Sequence, residues 1–97
     1  MEVTLPATVL TPPRFFYGTK THCMHEAFDV ATPQGRCEVV DNVAIAPRIA
    51  VRPGDRIEVR GELVRDPGRE PVIHWTHHDP AHRHPDGFIR FRGRVYG

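Results

Sequence analysis

"VRPGDRIEVRGELV", Val51 to Val64, decides the fold class. Arg52-Pro53-Gly54-Asp55 is a turn, because Pro53 pre-sets its φ and Gly54 accepts a positive one. Beyond it, Ile57, Val59 and Leu63 alternate with Glu58, Arg60 and Glu62. That period of two describes a strand with one face buried and one face wet. Gly61 falls on the buried parity, where a barrel strand often needs a glycine in order to bend.

Outward from this strand the chain keeps the same grammar. Ten prolines and eight glycines interrupt it throughout, and β-branched residues are frequent. The longest stretch free of both breakers, Thr19 to Thr32, has poor apolar spacing for an amphipathic helix. A first strand is expected over Glu2 to Leu10, broken or bulged near Pro6 and ended by Pro12-Pro13. "PPRFFYGTKTH" reads as a loop with three consecutive aromatics. A second strand runs from about Cys23 to Ala31, "TPQG" is a hairpin turn with Gly35 free to take positive φ, and a third strand covers about Arg36 to Val40. A simple turn sets Val30 opposite Cys37 and Phe28 opposite Val39, with those four on the core face and His25 on the other, near Asn42. A slip of one residue would invert both faces. "DNVAIAPRIAVRPGD" reads as a short turn or one-turn helix followed by a loop. After the strand at 56–64 come a fifth strand, "PVIHW", a histidine-rich loop, and two short extended pieces, "GFIRF" and "RVYG", joined through Arg92-Gly93. The expected fold is all-β, one domain over 1–97. It is a small five-stranded barrel resembling the oligonucleotide/oligosaccharide-binding (OB) fold, with the histidine loop after strand 5.

Composition narrows the function classes. Thirteen basic against 12 acidic residues give a net charge of +1, which excludes a polybasic glue for nucleic acid or membrane but not a local basic patch. "MEVTLPATVL" lacks the n-region and apolar core of a signal peptide, and no run approaches a membrane helix. The expected address is therefore the cytoplasm, with no membrane partner. Cys23 and Cys37 are expected to be unpaired, and a CxxC zinc ribbon is absent.

Five of the seven histidines crowd into "HWTHHDPAHRH", His74 to His84. Three segments, "APRIAVRPGDRIEVRGELV", "VIHWTHHDPAHRHPDGFIRFRGRVY" and the weaker "HEAFDV", resemble a family of small bacterial proteins grouped as a domain of unknown function. Its signature is matched by His74, Trp75, Thr76, His77, His78, Asp79 and Pro80, its following histidine by His84, and a second-strand histidine by His25. The resemblance spans roughly Met24 to Tyr96 and implies an OB-like barrel without a settled activity. His22 and His82 match nothing in the pattern, and Asp41 stands where relatives often carry histidine.

The same residues admit several chemistries. Pro80 forces a bend, and around it His74, His77, His78, Asp79, His84 and His25 are candidate ligands for a divalent transition metal such as zinc, which takes three or four such groups at about 2.0–2.2 Å. The spacing is not HExxH, so no helical metalloprotease site is implied. The alternative is structural, since neutral imidazoles satisfy the unpaired backbone groups of a long loop as donor and acceptor at once. A second set, Phe15, Phe16, Tyr17 and Lys20 with Arg90, Arg92 and Arg94, would suit single-stranded nucleic acid by base stacking and phosphate contact. A third reading is a metal-dependent phosphodiesterase or nuclease, using carboxylates from Asp29, Asp41, Asp55 or Asp79, a base from His77 or His78, and Arg48 or Arg60 on the phosphate. No nucleophile elbow, P-loop or dinucleotide fingerprint is present. The leading reading is a small binding module with a His/Asp site for a divalent metal, a nucleic-acid phosphate, or both.

Overall fold

The computed structural model describes residues 1–44 and 47–97. It contains eight strands: β1 Glu2–Val9, β2 Arg14–Gly18, β3 Cys23–Thr32, β4 Gly35–Asn42, β5 Arg56–Val64, β6 Val72–His74, β7 Phe88–Phe91 and β8 Arg94–Tyr96. No helix occurs among the described residues. The segment read as a turn or one-turn helix is a turn at 43–44 and irregular at 47–50, and its centre, 45–46, lies outside the described residues.

The strands β1-β3-β4-β6-β5 follow one another in hydrogen-bonded order, and β5 pairs back onto β1. The circuit is a closed five-stranded barrel in which β4–β6 is parallel and the other contacts are antiparallel. This is the OB-like arrangement expected. Closure removes the exposed edges that a five-stranded sheet would otherwise carry. The β3–β4 register is the anticipated one: Val30 pairs with Cys37, Phe28 with Val39 and His25 with Asn42. Pro33 and Gln34 form the turn, and Gly35 takes φ +98°.

Two expectations are corrected. Pro6 does not break β1, which pairs without interruption from Glu2↔Glu62 to Thr8↔Arg56. The β3 side of β1 is unpaired until Thr8, so a proline is tolerated there. "RFFYG", read as loop, is the strand β2, paired antiparallel to the first half of β3 from Arg14↔Ala27 to Gly18↔Cys23. Three consecutive aromatics favour strand geometry once a partner is beside them.

The barrel interior is apolar. Val9, Phe28, Val30, Cys37, Val39, Val59, Ile73 and Ile89 are fully buried, and Ile49 and Val51 cap them from the segment before β5. Both cysteines are free.

What positions the site is an interruption of one edge. β6 pairs with Glu62–Val64 of β5, and β7 pairs with Glu58–Arg60 of the same β5. Residues 75–87 therefore leave that edge and return to it. Gly61 and Gly87 permit the pinch: a Cβ on Gly61 would run into the His74 carbonyl, and one on Gly87 into the Trp75 and Arg60 carbonyls. The Gly87 N–H closes the base onto the His77 carbonyl at 2.8 Å. Gly61 thus serves close approach.

Candidate functional site

The loop 75–87 is built from its own polar groups. The Asp79 carboxylate accepts the N–H of Ala81 (3.0 Å) and of His84 (3.0 Å), and also that of Arg83. Burial pushes Asp79 up, but those three backbone donors and the His84 ring outweigh it and hold the carboxyl below its usual range. Asp86 accepts the Asp79 N–H (2.9 Å) and pairs with His78 Nδ1 (2.9 Å). These two donors keep Asp86 low despite partial desolvation. Thr76 is fully buried and donates its hydroxyl to the Val40 carbonyl (3.0 Å), with Asp41 Oδ1 at 3.5 Å. Thr76, His78, Asp79 and Asp86 are loop builders.

His74, Trp75, His77 and His84 line a cavity of about 380 Å³ between the loop and the outer face of β3, β4 and β6, together with His25, Asn42, Asp79 and Arg83. Trp75 turns the chain into the loop at φ +58°, a conformation that a bulky side chain rarely adopts and that costs of order 1–3 kcal/mol. Its indole lies flat on the His84 ring, 4.3 Å between centroids and 7° between planes. The His77 ring meets His84 edge-on at 5.5 Å. His77 Nδ1 donates to the His78 carbonyl (2.7 Å) and His84 Nδ1 to the Pro85 carbonyl (2.9 Å). A carbonyl cannot donate, so each neutral ring carries its proton on Nδ1 and its lone pair on Nε2. Neither Nε2 has a hydrogen-bond partner among the described residues. The closest approach is His84 Nε2 to Asp79 Oδ2 at 3.7 Å.

His74 and His25 line the same cavity from β6 and β3. Half-burial lowers the His74 pKa, neighbouring His25 lowers it further, and Asp66 partly offsets both. His25 Nε2 shares a hydrogen with Thr21 Oγ1 at 2.8 Å, its ring stacks on Phe16, and its Nδ1 is buried without a partner. The six candidate ligands thus divide. His25, His74, His77, His84 and Asp79 share one cavity, whereas His78 is half exposed and turned to Asp86. Among the described residues, no three or more His, Cys, Asp or Glu side chains form a group that could hold a metal ion. The His82 ring meets His78 edge-on.

The aromatic–basic set also divides. Phe16, Tyr17 and Lys20 line a second cleft of about 540 Å³ with His25, His74, Val72 and Arg69, adjoining the histidine cavity. Phe15 points elsewhere, under the Arg48 guanidinium. Arg90 is paired with Glu58, and Arg92 and Arg94 lie over the Phe91 and Tyr96 rings of their own hairpin. The candidate catalytic carboxylates are dispersed: Asp29 binds Arg36 and Arg14, Asp55 caps its own turn at the Arg52 N–H, and Arg60 pairs with Glu2.

A feature missed in the sequence sits inside the barrel mouth. Glu26 and Asp41 are cross-strand partners and are fully buried. Burial pushes Asp41 up to about 6 against the pull of the Asn42 N–H and the Thr76 hydroxyl. Burial raises Glu26 as well, the Ile49 N–H opposes, Asp41 adds to the rise and Arg48 opposes it. The signal was available, because the register that buries Phe28 and Val39 also buries the residues two positions away.

Fold and site together define a small OB-like barrel with an imidazole-lined cavity under an inserted loop. The chain belongs to the family described as protein of unknown function (DUF3465), which it matches over residues 17–97. No curated protein and no solved structure matches it.

Proposed function

We propose that this protein is a binding module and that its histidine cavity takes a divalent transition metal through Nε2 of His77 and His84. The observation that carries this reading is the fixed tautomer of both rings. Metal-ligating histidines donate their second ring N–H to a carbonyl or carboxylate, which orients the ring and leaves the other nitrogen free. His77 and His84 meet that condition side by side. The remaining coordination positions belong to water or to an oxygen of a second ligand, such as a phosphate. Asp79 is spent on backbone donors, which favours binding over metal-assisted hydrolysis. Two free thiols favour the cytoplasm as its compartment. Elemental analysis of untagged protein tests the metal reading: about one equivalent of zinc, nickel, manganese or iron is expected, lost in the His77→Ala/His84→Ala double variant. Metal-free protein whose melting responds to neither zinc nor chelator sinks it.

A second reading rests on the adjoining cleft. Phe16 and Tyr17 are large, exposed and flat beside Lys20 and Arg69, on the barrel face and between the loops that OB folds use for single strands. Glu38, Asp66 and Glu70 line the same cleft, although Arg14 binds Glu38 and Arg36 binds Glu70. Single-strand binding predicts a salt-sensitive Trp75 fluorescence change with oligonucleotides that Tyr17→Ala removes. No response at low salt rejects it.

A further inference from the structure

We propose that Asp41 is a proton-gated anchor of the histidine loop, a positioning residue that exchanges one partner for another as it ionises. The proposal stands on the fold and holds whether or not an ion occupies the cavity. Glu26 and Asp41 face each other across β3 and β4 on the inner side of the barrel wall, 0 % and 1 % exposed. Each keeps one oxygen without a partner, Glu26 Oε2 and Asp41 Oδ2. Two adjacent buried carboxylates cannot both be charged cheaply, so one of them holds a proton over part of the neutral range.

The two differ in their surroundings, and Asp41 is the one that reaches the loop. Glu26 has charge-stabilising neighbours from the segment before β5, the Ile49 N–H on Oε1 at 3.0 Å and the Arg48 guanidinium. Asp41 has only the Asn42 N–H on its own strand and the Thr76 hydroxyl of the loop at 3.5 Å. The imidazoles of His25 and His74 lie on the outer face of the same wall, so the titratable neighbour on the inner side is Glu26. Burial pushes Asp41 up to about 6, within the physiological range.

The two protonation states bond differently. Neutral Asp41 owns an O–H and gives it to the unpartnered Glu26 oxygen, leaving the Thr76 hydroxyl to the Val40 carbonyl. Ionised Asp41 has no hydrogen to give and competes with Val40 for the Thr76 hydroxyl. Thr76 lies between Trp75 and His77, so the exchange is felt at the base of the cavity. The loop base therefore shifts along β4, from Val40 toward Asp41, as pH rises through the Asp41 midpoint.

Carboxyl carbon-13 and amide NMR titrations of the intact protein, Thr76→Val and Asp41→Asn test this. In the wild type, Asp41 titrates near 6 and the amides of Trp75 to His78 carry a component with the same midpoint. In Thr76→Val, Asp41 still titrates, at a higher pH for want of its donor, and the loop amides no longer follow it. In Asp41→Asn, the loop amides retain only the histidine transitions. A wild-type midpoint at the ordinary aspartate value of about 3.9 overturns the proposal without any variant. Loop amides that still track Asp41 in Thr76→Val also overturn it.

Discussion

The barrel and the histidine loop share one edge of β5, yet they are held together by opposite means. Along β5, Ile57, Val59 and Leu63 enter a core of aliphatic and aromatic side chains, and the ladder hydrogen bonds are shared with three strands, β1, β6 and β7. In residues 75–87 almost nothing apolar is buried. Order there comes from one carboxylate accepting three backbone N–H groups, a second carboxylate supporting the first, and a buried threonine pinned to β4. A hydrophobic core tolerates volume-conserving change and fails through cavities. A polar network fails when one member loses its partner. A loop held by polar groups can therefore hold two imidazoles, His77 and His84, at a cavity wall in fixed tautomers, which the barrel wall alone would not do.

The largest expected effect breaks the barrel side. Phe28→Ala empties the centre of the core and is expected to cost about 3–5 kcal/mol, with loop and barrel melting together. Urea unfolding followed by far-UV circular dichroism and by the sole tryptophan separates the outcomes. If the two midpoints diverge, barrel and loop are not one cooperative unit.

Gly87→Ala strikes the junction. Its Cβ meets two backbone carbonyls, which are not the flexible ends of side chains, so the loop base must open. The expected result is a barrel that still folds while Trp75 loses its stack on His84. That appears as a shifted tryptophan emission with the β signature retained. A variant that unfolds outright would show that closing the edge at Gly87 is part of the barrel's own stability.

Asp41→Asn sharpens the comparison, because it alters the one polar pair described inside the apolar half. Native Asp41 sits about two pKa units above its ordinary 3.8, so it favours the folded state fully below that ordinary value. The contribution is lost as pH rises through about 6. Above that, the buried charge costs of order 2–3 kcal/mol, which asparagine, with an amide donor for Glu26, does not incur. Asp41→Asn is therefore expected to be about as stable as the wild type near pH 4 and more stable at pH 8. Equal stability differences at both pH values would show that Asp41 does not titrate in this range.

Much of the barrel was legible because alternation is a strong code. The turn at 52–55, the strand at 56–64 and the β3–β4 register follow from period-two patterning and two turn motifs, and the structure has all three. β2 was not legible because its aromatics stay largely exposed: a strand with no buried face shows no alternation, and only the partner strand β3 orders it. Glu26 was passed over because the core face was read from its apolar residues alone, Phe28, Val30, Cys37 and Val39. The histidine loop was legible as a signature but not as a geometry. His77 and His78 are adjacent in sequence, and one lines the cavity while the other turns to Asp86. That division depends on Pro80 and on the N–H groups gathered by Asp79, which no spacing rule encodes.

The smallest expected effect falls on that last distinction. His78→Ala removes an imidazole that is half exposed and paired with an equally exposed Asp86, and such surface pairs contribute little. Asp86 keeps its bond to the Asp79 N–H, so the network that shapes the loop survives. The variant is expected to unfold close to the wild-type midpoint, with any difference fading in 1 M salt as the pair is screened. Zinc uptake should be unchanged, whereas His84→Ala, in the same loop but on the cavity wall, should lose it. The two variants remove the same chemical group from the same loop, so a difference between them isolates position. If His78→Ala abolished uptake as well, the ion would sit on the outer side of the loop with Asp86, and the cavity of His77 and His84 would not be the site.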